Sequence, residues 1–276
     1  MPIEPNEPVA RTSITDHDGY LGGVLSALND EAAFAAFKQD FHIKGAVERL
    51  RPARGAEYRE IVLRQSPGLL AHLDKFREND RLGSPDVAPY PEGPMSPTTW
   101  RYIKVLSDLQ MLFGSLDGWH IAEIGVGYGG QCKILHDLYK IASYRMFDLE
   151  PVMRLAEKYL SRVAPAANEH LTLGDFRRLG DGPPETYDLV ISNWALSECT
   201  KPIQDAYVSH VLQRSKRGYI TYNQISELVG VESYKKAEFI DRLGFPVTLM
   251  EEGLQVDVPE HLENFILHWS SQPFLP

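Results

Sequence analysis

Apolar residues recur along this chain with two different periods, and the change of period divides it. In the first third they return every three to four positions. Val24, Leu25, Leu28, Ala32, Phe34, Ala35 and Phe37 predict a helix over about 22–39, and EYREIVLRQ (57–65) and GLLAHLDKFREN (68–79) predict two shorter ones. Prolines then stand at 85, 89, 91, 94 and 97, a density that neither a helix nor a central strand tolerates, so 84–97 reads as an extended connector. Beyond it, Trp100, Ile103, Leu106, Leu109, Leu112 and Phe113 form one stripe, a helix over about 98–115. Strand-like apolar runs then alternate with helical segments. Strands are predicted at 120–125, 143–148, 171–175, 187–193, 218–223, 246–250 and 264–269, and helices at 129–141, 151–163, 203–215 and 233–244. Strands this apolar, separated by helices, belong to a mostly parallel sheet covered on both faces. The expectation is a doubly wound, Rossmann-like α/β domain with a seven-stranded sheet over 98–276, joined by the connector to a helical extension or cap over 1–83.

Charge narrows the function classes. The chain carries 38 acidic against 28 basic residues, a net charge of −10. Such a surface repels phosphate backbones and anionic lipid, so neither nucleic acid nor a membrane is expected as a partner. Arg49, Arg51 and Arg54 are a local exception. They read first as a solvated face and second as a hold for one anionic substrate group. No apolar run approaches the ~18 residues of a transmembrane helix. The opening MPIEPNEPVARTS lacks the apolar centre of a secretory signal, and the expected compartment is the cytoplasm. Cys132 and Cys199 form neither a disulfide framework nor a CxxC zinc site, and both are read as reduced and buried.

The chemistry-bearing stretch follows the first predicted strand: Glu123-Ile-Gly125-Val-Gly127-Tyr128-Gly129-Gly130-Gln131. Glycines at a strand-to-helix turn let a ligand approach the backbone, and the helix start adds a positive end. Two spacings overlap here. Gly125, Gly127 and Gly130 satisfy the dinucleotide pattern GxGxxG; Glu123, Gly125, Gly127 and Gly129 satisfy the acidic-x-GxGxG pattern of S-adenosylmethionine (SAM) sites. Three features favour SAM. An acid at 123 suits a cationic amino-acid tail better than a diphosphate. Leu173-Gly174-Asp175-Phe176 ends the third strand with an acid and an aromatic, suited to an adenine edge and face. No Tyr is followed four residues later by Lys, so the short-chain dehydrogenase pair is missing. Asp148 ends the second strand 23 residues after Gly125, where a carboxylate can accept both ribose hydroxyls of either cofactor.

With these residues in place, the stretch from Thr98 to Asn223 resembles the class I SAM-dependent methyltransferases, and more narrowly the bacterial group described as sugar O-methyltransferases. The matching pieces are TTWRYIKVLSDLQMLFG, IAEIGVGYGGQCKIL, FDLEPVMRLAEKYL, YDLVISNWALSECTKPIQDAYV and RGYITYN, in order. The resemblance implies that Glu123 and Gly125 to Gly129 line the methionine end and ribose of SAM. It implies that Asp148 holds the ribose hydroxyls, Leu149 packs on the adenine, and Asp175 bonds the adenine amine with Phe176 beside it. Tyr128 and Gln131 are open between contacting the cofactor and packing.

The fourth predicted strand ends in Ser192-Asn193-Trp194-Ala195-Leu196-Ser197-Glu198, at the sheet edge where ligands of such folds bind. An alcohol needs a base to accept methyl, and Glu198 beside Trp194 is the first candidate, with a capping acid as its alternative role. Asn193 and Asn223 end strands on that side and are candidates to orient substrate. Asn193 and Trp194 are also counted with the cofactor contacts, and Tyr102, Trp194, Glu198 and Asn223 with the substrate contacts. His210, His120 and His268 read as structural. After the fourth strand there is one acid and no adjacent pair, so no metal is expected. The N-terminal helices and connector are expected to cover the cleft, with Tyr90, Trp100, Arg101 and Tyr102 as contacts. The reading is a SAM-dependent methyltransferase producing S-adenosylhomocysteine (SAH) and a methyl ether on a small polar acceptor, such as a sugar hydroxyl in natural product or polysaccharide biosynthesis. N-methylation of a small amine or guanidine, a nicotinamide oxidoreductase and a non-catalytic SAM-binding protein are the alternatives. Acceptor identity and oligomeric state, a homodimer among the options, stay open.

Overall fold

A computed structural model of the chain describes residues 12–181, 183–253 and 264–270. Its first part is helical. Helix α1 (Asp18–Asn29) begins where the His17 side chain accepts from the Tyr20 amide, and Asp30 both ends it and caps α2 (Glu31–Ala35) by accepting from the Ala33 amide. The single helix predicted over 22–39 is therefore two, because an Asp side chain competes for helix-start amides. Asp40 likewise caps α3 (Phe41–Val47), and Pro52 opens α4 (Pro52–Gln65). The predicted 68–79 helix is one α-helical turn, α5 (Leu73–Arg77), between 3-10 turns.

The proline-rich connector is not extended throughout. It doubles back, with Ala88 and Met95 exchanging both backbone hydrogen bonds at 3.0 and 3.1 Å. Arg59 of α4 holds that turn through a two-pronged bond to Glu92, at 2.6 and 2.5 Å. Ser96 then caps α6 (Pro97–Phe113), Pro97 occupies its first turn, and Gly114 ends it with φ +78°.

From there strands and helices alternate: β1 (His120–Ile124), α7 (Gly130–Leu138), β2 (Ser143–Asp148), α8 (Glu150–Val163), α9 (Pro165–Asn168), β3 (Leu171–Asp175), β4 (Leu189–Asn193), α10 (Lys201–His210), β5 (Gly218–Tyr222), α11 (Lys236–Leu243), β6 (Thr248–Glu251) and β7 (Phe265–Trp269). The strands make one sheet in the order β3-β2-β1-β4-β5-β7-β6, with β7 alone antiparallel to its neighbours. This is the expected doubly wound, Rossmann-like sheet. The chain reverses direction across the sheet between β1 and β4, the place where such folds open a crevice beyond the strand ends.

One connected set of buried side chains runs from Tyr20 and Val24 of α1 to Trp269 of β7, so the N-terminal helices share the core of the sheet. Helix α6 is buried from Pro97 to Leu109. Its Lys104 and Asp108 pair at 2.7 Å, and the Tyr219 hydroxyl of β5 donates to Asp108 at 2.6 Å, so no buried charge is left unmatched there. No helix among the described residues is long and apolar enough to cross a membrane.

Candidate functional site

Beyond the carboxyl ends of β1, β2 and β4 lie three adjoining hollows that share walls. The first is lined by Gly125, Gly127, Asp148, Leu149, Phe176 and Asn193 among others. Gly125 has φ +78°, and a Cβ there would lie 1.8 Å from the Ala195 Cβ, so only glycine lets the β1 and β4 turns meet. Asp148 accepts from the Gly127 amide at 3.2 Å and the Leu149 amide at 2.7 Å, one bond to each oxygen. Each oxygen keeps a second lone pair for a ligand hydroxyl. Burial raises its pKa to about 6 against these backbone bonds. Ile203 and Tyr207 of α10 complete an apolar slot with Leu149 and Phe176.

The second hollow shares Gly125, Gly127, Asn193 and Trp194 with the first and adds Glu123, Arg101 and Tyr102. Glu123 is 2% exposed, and burial pushes its pKa up to about 8 even though the Tyr144 hydroxyl donates to Oε2 at 2.7 Å. The same hollow is walled by donors without hydrogen-bond partners, although the Glu252 carboxylate lies 3.8 Å from Arg101 Nε. The Arg101 guanidinium lies 3.7 Å from the Trp194 ring centre and makes one long bond, 3.4 Å, to Asn193 Oδ1. Arg101 Nε, Asn193 Nδ2 and Trp194 Nε1 are all buried and have no hydrogen-bond partner. Trp194 itself holds φ +69°, a left-handed conformation that a bulky residue adopts only under constraint from its surroundings.

The third hollow shares Thr15, Tyr20, Ala46, Arg49 and Glu198 with the first and adds His17, Phe41, His42 and Ile225. It lies beneath the N-terminal segment, which runs antiparallel to the stretch after β4. The Ile14 amide donates to the Glu198 carbonyl at 3.1 Å, and the Thr200 amide to that of Thr12 at 3.0 Å. Glu198 stands between the first and third hollows. Asn223 Nδ2 donates to its Oε1 at 3.0 Å, and burial raises its pKa against that bond and the charges of Arg49 and Arg101.

Most of the predicted site residues meet here: Glu123, Gly125, Gly127, Asp148, Leu149, Phe176, Asn193, Trp194, Glu198 and Tyr102 line the hollows, and Asn223 reaches them through Glu198. Four lie elsewhere. The Tyr128 hydroxyl donates to Glu48 Oε1 at 2.7 Å deep under the extension, so Tyr128 joins two parts of the core. Gln131 is buried and donates to the Tyr102 carbonyl, and Gly129, with φ +88°, packs against Leu160. Asp175 caps the turn after β3 by accepting from the Arg177 amide, and it faces a separate hollow beside Arg178 and His210. Gly129 and Asp175 thus serve their turns, and Tyr128 and Gln131 serve packing between elements. Tyr20, Arg49, Ile203 and Tyr207 are lining residues without a motif. Their only sequence signal was for Arg49, in the arginine run. Trp100 is buried away from the hollows and Tyr90 packs edge-on against it, at 5.7 Å between ring centres. Among the described residues no three His, Cys, Asp or Glu side chains gather as a metal site.

No family model matches the chain, and no curated protein matches its sequence. Solved structures are similar to it. One is assigned as a sarcosine dimethylglycine methyltransferase from Galdieria sulphuraria, with 12% identity over 62% of this chain and 85% of that one and a TM-score of 0.48. Another is magnesium protoporphyrin IX methyltransferase from Synechocystis PCC 6803 with bound SAM, with 16% identity over 78% and 95% and a TM-score of 0.45. A third is the N-terminal domain of EvdMO1 in the presence of SAH and D-fucose, with 13% identity over 62% and 83% and a TM-score of 0.47. At such scores the geometry of the site, rather than the likeness, carries the functional reading.

Proposed function

We propose that the protein is a SAM-dependent methyltransferase that methylates a hydroxyl of a small polar acceptor of the sugar class. The observation that carries this reading is the second hollow. It gathers one carboxyl, Glu123, with three buried donors that make no hydrogen bond, on Arg101, Asn193 and Trp194. A free amino-acid tail has the complementary groups, an ammonium for the acid and a carboxylate for the donors. The first hollow adds a ribose-binding acid in Asp148 and an apolar slot for adenine, so the residues present fit SAM. A dinucleotide fits worse. Gly129 and Gly130 pack against Leu160 and Tyr102, and the Gly127 amide already donates to Asp148, so the loop does not turn these groups toward a diphosphate.

SAM, when bound there, would supply a methyl carbon activated by a sulfonium sulfur, whose C–S electron pair would return to sulfur as the acceptor oxygen bonded the carbon. Glu198 takes the hydroxyl proton. Asn223 fixes one of its oxygens, leaving the other for the proton, and its raised pKa brings it nearer the working range of a general base. The N-terminal segment, bonded across the loop that carries Glu198, excludes water from the junction of the hollows.

Calorimetric titration with SAM, SAH and NAD tests the cofactor. Micromolar-range binding of SAM and SAH, none of NAD, and a loss of roughly 10²-fold or more in Asp148→Ala are expected, since hydrogen bonds to a charged group are worth about 1.5–3 kcal/mol each. Tight NAD binding without a response to SAH would overturn the reading.

A further inference from the structure

Arg49 borders every part of the cleft, but its neighbours change from one end to the other. The hollows assigned above to the cofactor add Asp148 in the first and Glu123 with Arg101 in the second. The third hollow presents Arg49, His17, His42 and the Tyr20 hydroxyl, with Glu198 as its acid. Arg49 is set apart by its place: among the described residues Arg177, Arg214 and Arg217 likewise lack a carboxylate partner, but of these four only Arg49 borders the three hollows. In a chain with net charge −10, Arg54, Arg59, Arg81, Arg154 and Arg242 all pair with carboxylates within 2.9 Å. Among the described residues Arg49 makes no ion pair or hydrogen bond; its contact is the Trp194 ring, 5.9 Å from the ring centre. Tyr20 is 4% exposed and lines both the first and the third hollow.

We propose that the third hollow is the acceptor site and that the acceptor carries an acidic group, a carboxylate or phosphate, held by Arg49, with the Tyr20 hydroxyl donating to it at the junction. A guanidinium presents paired donors matched to the oxygens of either anion. The acceptor class is then a sugar acid or sugar phosphate rather than a neutral sugar. The identity of the neighbouring ligand rests on the methyl-transfer reading; the anion site does not.

Inorganic phosphate is the probe, titrated calorimetrically into the full chain with and without saturating SAH. Arg49 is on the surface, so Arg49→Gln is expected to fold normally. Millimolar-range binding is expected, equal in both conditions, and weakened at least about tenfold in Arg49→Gln, with a smaller loss in Tyr20→Phe. Absence of phosphate binding, or binding unchanged in Arg49→Gln, would overturn the proposal. Competition between SAH and phosphate would also overturn it, because the anion site would then belong to the cofactor's own carboxylate. Arg49-dependent phosphate binding by a protein that ignores SAH would defeat the methyltransferase reading and leave the anion site standing.

Discussion

The end of the cleft proposed to hold the cofactor and the end proposed to hold the acceptor are built in different ways. Glu123, Gly125 and Gly127, Asp148, and Asn193 with Trp194 follow or end successive parallel strands, so sheet register alone sets them side by side: Glu123 pairs with Met146 and Ile191, one strand to each side. The acceptor end gathers Tyr20 from α1, Arg49 from the loop before α4, and Glu198 from beyond β4, and no ladder of backbone bonds relates them. Its geometry depends on how the N-terminal helices seat on the sheet. A site made by register tolerates sequence change around it; a site made by docking is lost or retuned when the docking contact changes.

The sharpest break between the two ends is Glu198→Gln. If this carboxylate takes the acceptor proton, kcat falls by roughly 10²–10⁴-fold, the usual range for losing a general base. SAH affinity changes by no more than about twofold, because Glu198 is assigned no part in holding the cofactor. Turnover and SAH titration on the same preparation separate the outcomes. A near-normal rate would shift the reading toward an amine acceptor, and a parallel loss of SAH binding would make Glu198 part of the cofactor wall.

The same contrast explains what could be read from the residues alone. All seven strands lie within about two residues of their predicted ends, because each is an apolar run bounded by turn residues. The first-hollow acid Asp148 was recognisable from its distance to the glycines, a spacing that the fold itself imposes. Tyr20 was not recognisable, since an aromatic at helical spacing is indistinguishable from a core residue until the helix is docked. Asp175 and Tyr128 show the opposite limit. Both stand at motif positions, yet one serves the turn after β3 and the other the seam beneath the extension. Motifs give position along a strand end; whether a side chain faces a ligand or the core depends on packing that no local pattern encodes.

A smaller effect is expected from pH at the cofactor end. In the free protein burial keeps Glu123 protonated up to about pH 8, whereas an ammonium ligand needs the carboxylate. Binding below that pH therefore releases a proton, and SAH affinity rises with pH by up to about tenfold per unit between pH 6 and 8 before levelling. The sign for the free chain is opposite. A carboxyl whose folded pKa lies above its unfolded value favours the fold most at low pH, and that contribution is lost as pH rises through about 8. Calorimetry in buffers of different protonation enthalpy counts the proton directly. Glu123→Gln should flatten the profile; a wild-type profile equally flat would mean that the acid does not meet the ligand's charge.

The mildest test concerns the seam between the ends. Tyr128 stands inside the glycine loop, yet its hydroxyl donates to Glu48 and accepts from Asn79 Nδ2 at 3.2 Å, and Lys38 Nζ lies 4.3 Å from its ring centre. Glu48 precedes Arg49 directly, so this bond ties the acceptor-side loop to the cofactor-side loop. Tyr128→Phe keeps the ring beneath Lys38 and removes one bond to a buried carboxylate, which Ser96 and Lys38 still contact at 3.0 and 3.8 Å. The expected cost is about 1–3 kcal/mol of stability, seen as a Tm lower by several degrees. SAH affinity should stay within about threefold of wild type, while phosphate binding at Arg49 weakens more than SAH binding does. That order of effects would identify Tyr128 as a residue that positions the acceptor side. A large loss of SAH affinity with Tm unchanged would instead return it to the cofactor site, where its place among the glycines first put it.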